Sequence, residues 1–222
     1  MKSFKQHIFE KLKVSKSTYT LFPKTKDELK QMIETEIRKH GNECSLNHID
    51  VSKITNMTGL FFRSKFNGDI SNWDVSNVEN MGGMFESSKF NRDISNWDVS
   101  NVRDIRYMFY NSDFNGDISL WNVSNVENMD RLFGFSKFNG DISDWDVSNV
   151  ENMVSMFYNA DFDGDISGWD VSGVKHMEEM FAFSKFNGDI SGWDVKNVTD
   201  MSWMFHNSPL QNNPPKWFKN RY

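Results

Sequence analysis

Apolar positions along this chain repeat every 24 residues, a period much longer than that of a single strand or helix. Tryptophan, phenylalanine and isoleucine each recur at this spacing without insertion or deletion. The tryptophan column comprises Trp73, Trp97, Trp121, Trp145, Trp169, Trp193 and Trp217. A unit of this length cannot bury its own apolar face, so neighbouring repeats must stack and share one core. We therefore expect about seven stacked repeats.

Within one repeat, residues 66–89 read FNGDISNWDVSNVENMGGMFESSK. Apolar and polar residues alternate over 66–71, which predicts a short, half-buried strand. Ser76 and Glu79 match a capping box, in which each side chain satisfies a free backbone amide of the other. Apolar residues at helical spacing over 78–85 then predict a helix of about two turns. Each repeat is therefore expected to contain a strand, a corner and a short helix.

A separate amphipathic helix is predicted over residues 25–40, before the repeats. Its apolar side chains recur every four residues from Leu29, Thr25 stands at the N-cap position, and Gly41 suits the C-terminal end. Solenoid proteins need a polar-faced cap over the open end of the core. The helix is expected to supply that cap.

The chain divides into three parts on these patterns. Residues 1–41 form a basic helical N-terminal segment and cap, residues 42–208 form the repeat array, and residues 209–222 form a C-terminal cap. The first residues mix lysines with apolar side chains at helical spacing, as at Phe4 and Ile8. This basic helix could pack on the cap, or it could dock on a partner.

Charge and composition exclude several classes of protein. The net charge is −6, with ten basic and five acidic side chains in residues 1–40, so the remainder is strongly acidic. An acidic body argues against a nucleic-acid partner. The single Cys44 excludes an internal disulfide or a cysteine-rich zinc site. Neither a membrane span nor a signal peptide is recognised, so the protein is expected to be cytoplasmic by default, or associated with a virion.

Catalytic chemistry is not apparent from the sequence. The five histidines share no motif with a nucleophile or a metal site, and no nucleotide-binding fingerprint occurs. Carboxylates recur once per repeat, whereas an active site is normally singular. We expect a protein that is not an enzyme and that has no cofactor and no metal site.

One acidic column leaves two interpretations open. Stacked repeats would bring like charges close together in the column Asp69, Asp93, Asp117, Asp141, Asp165 and Asp189. Hydrogen bonds from loop amides or serine hydroxyls could relieve this repulsion, as is common for Asp in turns. Bound cations could do the same. We favour the hydrogen bonds, because the loops lack the glutamate that a calcium-binding loop requires.

The string WDVSNVxNMxxMFxxSxFNxDIS, repeated over residues 45–208, resembles the BspA-type surface-protein repeat. That family is a divergent group of leucine-rich repeats found in bacterial, mycoplasma-type and phage-encoded proteins. The resemblance implies an α/β solenoid, a right-handed leucine-rich-repeat-like stack of about seven 24-residue coils with an α-helical N-terminal cap. It also implies a role in binding or adhesion.

Alternate repeats differ, so that a period of 48 residues underlies the period of 24. The chain reads YNSDF at 110–114, GFSKF at 134–138, YNADF at 158–162 and AFSKF at 182–186. The residue before the last phenylalanine of each string alternates in charge, and the same column begins one repeat earlier. Its members are Lys89, Asp113, Lys137, Asp161 and Lys185. This alternation predicts a continuous ladder of ion pairs.

Variable positions are the expected contact surface, since repeat proteins bind through residues that differ between repeats. Aromatic and arginine side chains, which dominate binding hot spots, are enriched there. The candidate partner-binding residues are Arg106, Tyr107, Tyr110, Arg131, Phe135, Tyr158, Phe183 and Trp203. The tryptophan column is expected in the core, although an exposed tryptophan face for carbohydrate is the competing interpretation.

Two functions follow from these patterns. The first is a non-enzymatic interaction or adhesion module that binds a protein or glycan ligand through the variable positions. The alternative is a structural component, for example of a phage virion or a surface assembly, docked by its N-terminal helix.

Overall fold

The computed structural model describes residues 19–219. In this part of the chain, helix α1 spans Lys26–His40, a 3-10 turn spans Pro209–Gln211, and helix α2 spans Lys216–Lys219. The basic helix predicted before residue 19 lies outside the described residues. Between α1 and the 3-10 turn, the described chain has turns and isolated bridges instead of helices or strands.

Helix α1 confirms the prediction of an amphipathic helix at this position. The Thr25 hydroxyl accepts a hydrogen bond from the Glu28 N–H at 3.2 Å, and the Gly41 N–H closes the other end on the Ile37 carbonyl at 2.8 Å. Acidic side chains in the first turn and basic ones in the last complement the helix dipole. Leu29 and Ile33 are fully buried in the core of the repeats. The helix therefore covers apolar surface of the first repeat.

The strand and the helix predicted inside each repeat are both wrong. Over 78–85 the backbone makes successive three-residue turns, such as the Met84 N–H to the Met81 carbonyl at 3.1 Å. Such turns bury residues at i and i+3 as a helix does, so the apolar spacing could not distinguish the two. The Ser76 hydroxyl donates to Asp74 at 2.6 Å, so it does not form the capping box.

Hydrogen bonds between consecutive repeats replace the missing secondary structure. In the first repeat, the N–H groups of Met57, Gly59, Phe61 and Arg63 donate to the carbonyls of Asn80, Gly82, Met84 and Glu86, each at 2.9 Å. The alternate N–H groups bond back within their own repeat, as from Phe62 to Gly59 at 3.1 Å. The same four bonds recur at every junction up to residue 206. Buried backbone groups are thus satisfied without a regular sheet.

Residues 24 apart stack through the core. The rings of Phe85 and Phe109 lie 5.8 Å apart and within 5° of parallel, and those of Trp97 and Trp121 lie 6.5 Å apart. The tryptophans from Trp73 to Trp193 are buried, as the core interpretation predicted. Each indole N–H also donates to a carbonyl 27 residues earlier, for example from Trp121 to Ile94 at 3.1 Å. The tryptophan column therefore both fills the core and ties each repeat to the one before.

In the segments predicted as strands, asparagine side chains accept one of the hydrogen bonds between consecutive repeats. The Asn91 N–H donates to the side-chain oxygen of Asn67 at 2.9 Å, and Asn115 repeats this contact on Asn91. A second amide column donates to backbone carbonyls, as from Asn77 to Ser52 at 2.8 Å. Both columns act as side-chain ladders between consecutive repeats.

The charged column 89–185 forms separate pairs. Lys89 lies 3.0 Å from Asp113, and Lys185 lies 2.6 Å from Asp161. Within residues 19–219, no ion pair of 4.0 Å or less joins Lys137 to either aspartate. The continuous ladder predicted from the alternating charges is therefore replaced by two exposed pairs.

The C-terminal segment packs on the last repeat. Trp217 continues the tryptophan stack at 6.5 Å from Trp193, and its indole N–H reaches the Ile190 carbonyl at 2.8 Å. Phe218 packs edge-on against Phe205 at 4.9 Å. These contacts cover the apolar end of the array opposite α1.

Candidate functional site

Seven rings on the surface touch one another in an unbroken row that crosses five consecutive repeats. We call this row the aromatic ridge. It consists of Tyr107, Tyr110, Phe135, Tyr158, Phe183, His206 and Trp203. Successive centroids lie 5.5, 5.4, 5.2, 5.4, 5.1 and 5.0 Å apart in that order. Six of the eight predicted partner-binding residues are therefore brought together.

The ridge is open to solvent although it is largely apolar. Phe135 is 43% exposed, Phe183 is 42% exposed and Trp203 is 65% exposed. The three tyrosines are half-buried against their neighbours. Single exposed apolar side chains are ordinary, whereas a contiguous exposed patch marks an interaction surface.

Several ridge residues hold a backbone conformation that suits glycine or asparagine. Tyr107 has a φ of 58°, Phe135 of 56°, Phe183 of 58° and Trp203 of 59°. The other residues of these two columns also have positive φ: Gly59, Gly83, Arg131, Ser155 and Glu179 in the first, and Arg63, Ser87, Asn111, Asn159 and Asn207 in the second. Left-handed backbone is costly for a bulky residue. The inter-repeat bonds hold it in place, as from the Phe135 N–H to the Tyr158 carbonyl at 2.7 Å.

The 48-residue period is the reason that the rings interlock. Tyr110 and Tyr158 lie in one column, where Gly134 and Ala182 occupy the alternate repeats. Phe135 follows Gly134 directly in the chain, so it belongs to the neighbouring column of positions spaced 24 residues apart. Each small residue leaves room in the tyrosine column, and the adjacent phenylalanine bridges the gap between two tyrosines.

Charged side chains gather at one end of the ridge. The Arg131 guanidinium lies over the Tyr107 ring, 5.4 Å from its centroid, and donates to the Tyr107 hydroxyl. Arg106 pairs with Asp104 at 3.0 Å, and within residues 19–219 its guanidinium lies over no ring, so it flanks the ridge without joining it. Burial raises the pKa of Asp130, although Arg131 and Arg106 oppose the shift. The arginine-bearing end is therefore polar, unlike the middle of the ridge.

Sequence reasoning missed His206 and the small residues of the ridge. His206 occupies the tyrosine column one 48-residue period after Tyr158, so the longer period could have identified it. The role of Gly134 and the left-handed backbone had no signal in the residue pattern, since both depend on how successive repeats meet.

The aspartate column supports the hydrogen-bonded interpretation. Asp117 accepts from the Ser119 N–H at 3.0 Å and from its hydroxyl at 2.7 Å, and these two bonds lower the pKa of Asp117. Asp141 and Ser143 repeat the arrangement. Over residues 19–219, no group of three or more His, Cys, Asp or Glu side chains is placed to hold a metal ion. In the same range, no helix is long and apolar enough to span a bilayer.

A comparison with protein families gives one match. The family model described as "Mycoplasma protein of unknown function, DUF285" matches residues 27–137 and again residues 113–218. Together the two matches include α1 from its second residue onward and every repeat that contributes to the ridge. No curated protein and no solved structure matches the chain.

Proposed function

We propose that this chain, which belongs to the Mycoplasma family of unknown function DUF285, is a non-enzymatic interaction module that binds a partner through the aromatic ridge. The observation that carries this proposal is the unbroken contact of seven surface rings across five repeats. Aromatic side chains contribute large contact area and little conformational entropy, which makes them effective in binding.

The backbone at the ridge supports a binding role over a purely structural one. Phe135 and Phe183 occupy positions where the repeats that alternate with them have Asn111, Asn159 and Asn207, and their rings are substantially exposed. Stability alone would favour asparagine at such positions, because it tolerates left-handed backbone. Strained residues that persist at a surface are characteristic of functional sites.

The architecture that we propose for this module is a right-handed solenoid of about seven coils. Residues 24 apart stack and hydrogen-bond along the described repeats, which is what a solenoid requires. Turns take the place of the strand and helix of a leucine-rich repeat. A rigid stack of this kind would hold the ridge in a fixed geometry before the partner binds.

Paired variants of the full-length chain test the binding role. Phe135→Asn combined with Phe183→Asn gives these positions the residue of the alternate repeats and removes two central rings. Leu120→Asn is the matched control, because Leu120 is 86% exposed, lies outside the ridge and follows a column of asparagines at 72 and 96.

Wild type and both variants are incubated with arrays of synthetic peptides and oligosaccharides. We expect at least one probe to bind wild type and the Leu120→Asn control with equal affinity. The same probe should bind the double variant at least about tenfold more weakly. Equal binding by all three proteins, or no binding by wild type, would overturn the proposal.

A further inference from the structure

We infer that Asn187 is a site of spontaneous chemical modification, at which the side-chain amide is lost and aspartate or isoaspartate remains. Four asparagines of the repeats stand directly before a glycine, at Asn67, Asn115, Asn139 and Asn187. Glycine has no Cβ atom to shield its backbone nitrogen, so an asparagine before glycine is especially open to this reaction. Only the last of the four lies at the end of the asparagine ladder.

The reaction is an intramolecular displacement at the asparagine side chain. The backbone nitrogen of the following glycine gives up its proton and attacks the side-chain carbonyl carbon, Cγ, with which it forms a new bond. The bond from Cγ to the side-chain nitrogen breaks, and the nitrogen takes up a proton and leaves as ammonia. Water then opens the cyclic imide at one of its two carbonyl groups, which gives aspartate or isoaspartate. Water is therefore the only co-reactant.

The first three of these asparagines are held by the next repeat. The side-chain oxygens of Asn67, Asn115 and Asn139 each accept a backbone N–H from the residue 24 positions later, at 2.9 Å. Ring closure moves the side-chain carbonyl toward the glycine nitrogen and so draws its oxygen away from that N–H. The reaction at these positions therefore has to break a hydrogen bond between repeats.

Asn187 has no further rung beyond it. The residue 24 positions later is Gln211, whose N–H donates to the Ser208 carbonyl at 3.1 Å. Among residues 19–219, no hydrogen bond reaches the exposed side chain of Asn187. Its own N–H donates to the Asp163 side chain at 2.7 Å, so the backbone is held while the amide is free. Ring closure at Asn187 therefore breaks no side-chain hydrogen bond.

The ladder already accommodates the carboxylate that the reaction produces. Asp163 occupies the position equivalent to Asn187 one repeat earlier and serves as a rung of the ladder. Isoaspartate differs, because the backbone then runs through the side chain and gains a methylene group. That extra atom lies three residues before Ile190, whose carbonyl accepts the Trp217 indole N–H at 2.8 Å. The modification is thus placed next to the contact that covers the C-terminal end of the array.

The chain contains its own control for the effect of local sequence. All four asparagines lie in the same hexapeptide, FNGDIS, at 66–71, 114–119, 138–143 and 186–191. Trypsin places them in four separate peptides, which begin at residues 66, 107, 138 and 186. The full-length protein is incubated at mildly alkaline pH, folded or unfolded in urea. Mass spectrometry with fragment ions then measures the modified fraction at each asparagine over time.

We expect Asn187 to react at least about threefold faster than the other three in the folded protein, since one hydrogen bond changes an equilibrium by about two- to twelvefold. In urea the ladder is absent, and the four rates should be equal. Equal rates in the folded protein, or a folded Asn187 that does not react while the unfolded chain does, would overturn the inference. A preference for Asn187 that persists in urea would overturn it too, because the ladder would not be its cause.

Asn187→Gln is the matched variant, because the longer side chain closes a larger ring much more slowly. Gly188 stays in place, since a Cβ atom there would stand 2.7 Å from Cζ of the Phe186 ring. We expect the variant to lose the acidic form that isoelectric focusing detects in the incubated, folded wild type. If that acidic form persists in Asn187→Gln at the wild-type rate, the reaction occurs elsewhere and the inference is wrong.

Discussion

Gly134 lies against the ring of Tyr110. A Cβ atom on Gly134 would stand 3.0 Å from Cδ2 and 3.2 Å from Cε2 of that ring. The equivalent position two repeats later is Ala182, which is buried one repeat beyond Tyr158. A methyl group is thus tolerated in this column, and the available space sets the limit on anything larger.

We expect Gly134→Ala to change stability little, because the ring edge can move by a few tenths of an ångström. Gly134→Val should displace Tyr110 and lower the free energy of unfolding by about 1–3 kcal/mol, the usual cost of overpacking. Urea denaturation and the near-ultraviolet circular dichroism of the tyrosines measure the two effects. Equal behaviour of the two variants would show that Tyr110 is not held by this contact.

The exposed phenylalanines are expected to contribute little to stability. Phe135→Asn removes ring contacts with Tyr110 and Tyr158 worth about 0.5–1.5 kcal/mol each, and it relieves about 1–2 kcal/mol of left-handed strain. The free energy of unfolding should therefore change by less than about 2 kcal/mol. The reverse substitution Asn159→Phe introduces the strain at the matched position. A loss above about 2 kcal/mol for Phe135→Asn would contradict the strain argument.

The indole hydrogen bonds should contribute measurably within the array. Trp121→Phe removes the indole bond to the Ile94 carbonyl at a buried position, and that carbonyl keeps the Trp97 N–H as its other donor at 3.1 Å. We expect a loss of about 2–4 kcal/mol, from the lost hydrogen bond and from the vacated volume. Trp217→Phe removes the same bond at a half-buried position and should cost less. Urea denaturation of both variants tests the difference, and equal losses would refute it.

The aspartate column should make stability fall in acid. Hydrogen bonds from Ser119 and Ser143 lower the pKa values of Asp117 and Asp141 below that of the unfolded chain, about 3.9. A lowered folded-state pKa contributes stability above the unfolded value, and the contribution is lost as pH falls through the folded value. The melting temperature should therefore drop below about pH 4.

The matched variant for this test is Asp117→Asn with Asp141→Asn. Asparagine can accept the same bonds, since Asn122 already accepts from the Ser124 N–H at 3.2 Å and from its hydroxyl at 2.7 Å. The double variant should keep its fold and show a shallower decline in acid. An unchanged decline would assign it to other carboxylates.

Much of this architecture could be predicted from the sequence. The stacking register followed from the constant spacing of residues such as Trp73 and Trp97, and the capped helix α1 followed from Thr25 and Gly41. These predictions depended on burial and on local capping, both of which leave a direct pattern in the residues. Most of the ridge was predicted for a similar reason, because its aromatic residues occupy variable columns.

The errors concern the path of the backbone. The spacing of Val78, Met81 and Phe85 suits a helix as well as a series of turns, and only the inter-repeat bonds of the 81–87 segment decide between them. The alternation over 66–71 suggested a strand, but the Asn67 side chain takes the bond that a neighbouring strand would make. Hydrogen-bond partners in neighbouring repeats decided both cases. The spacing of residues within one repeat carries no information about those partners.

The pairing of unlike repeats has a consequence for how such a gene can change length. Deletion of residues 123–146, which make up one repeat, would place the repeat that contains Tyr110 directly beside the repeat that contains Tyr158. It would also remove Gly134 and Phe135, which lie between the two tyrosines. Losing or gaining two repeats would preserve the alternation and simply shorten or lengthen the ridge. Unequal recombination between copies should therefore be tolerated in double steps, and length variants of this protein should differ by multiples of 48 residues.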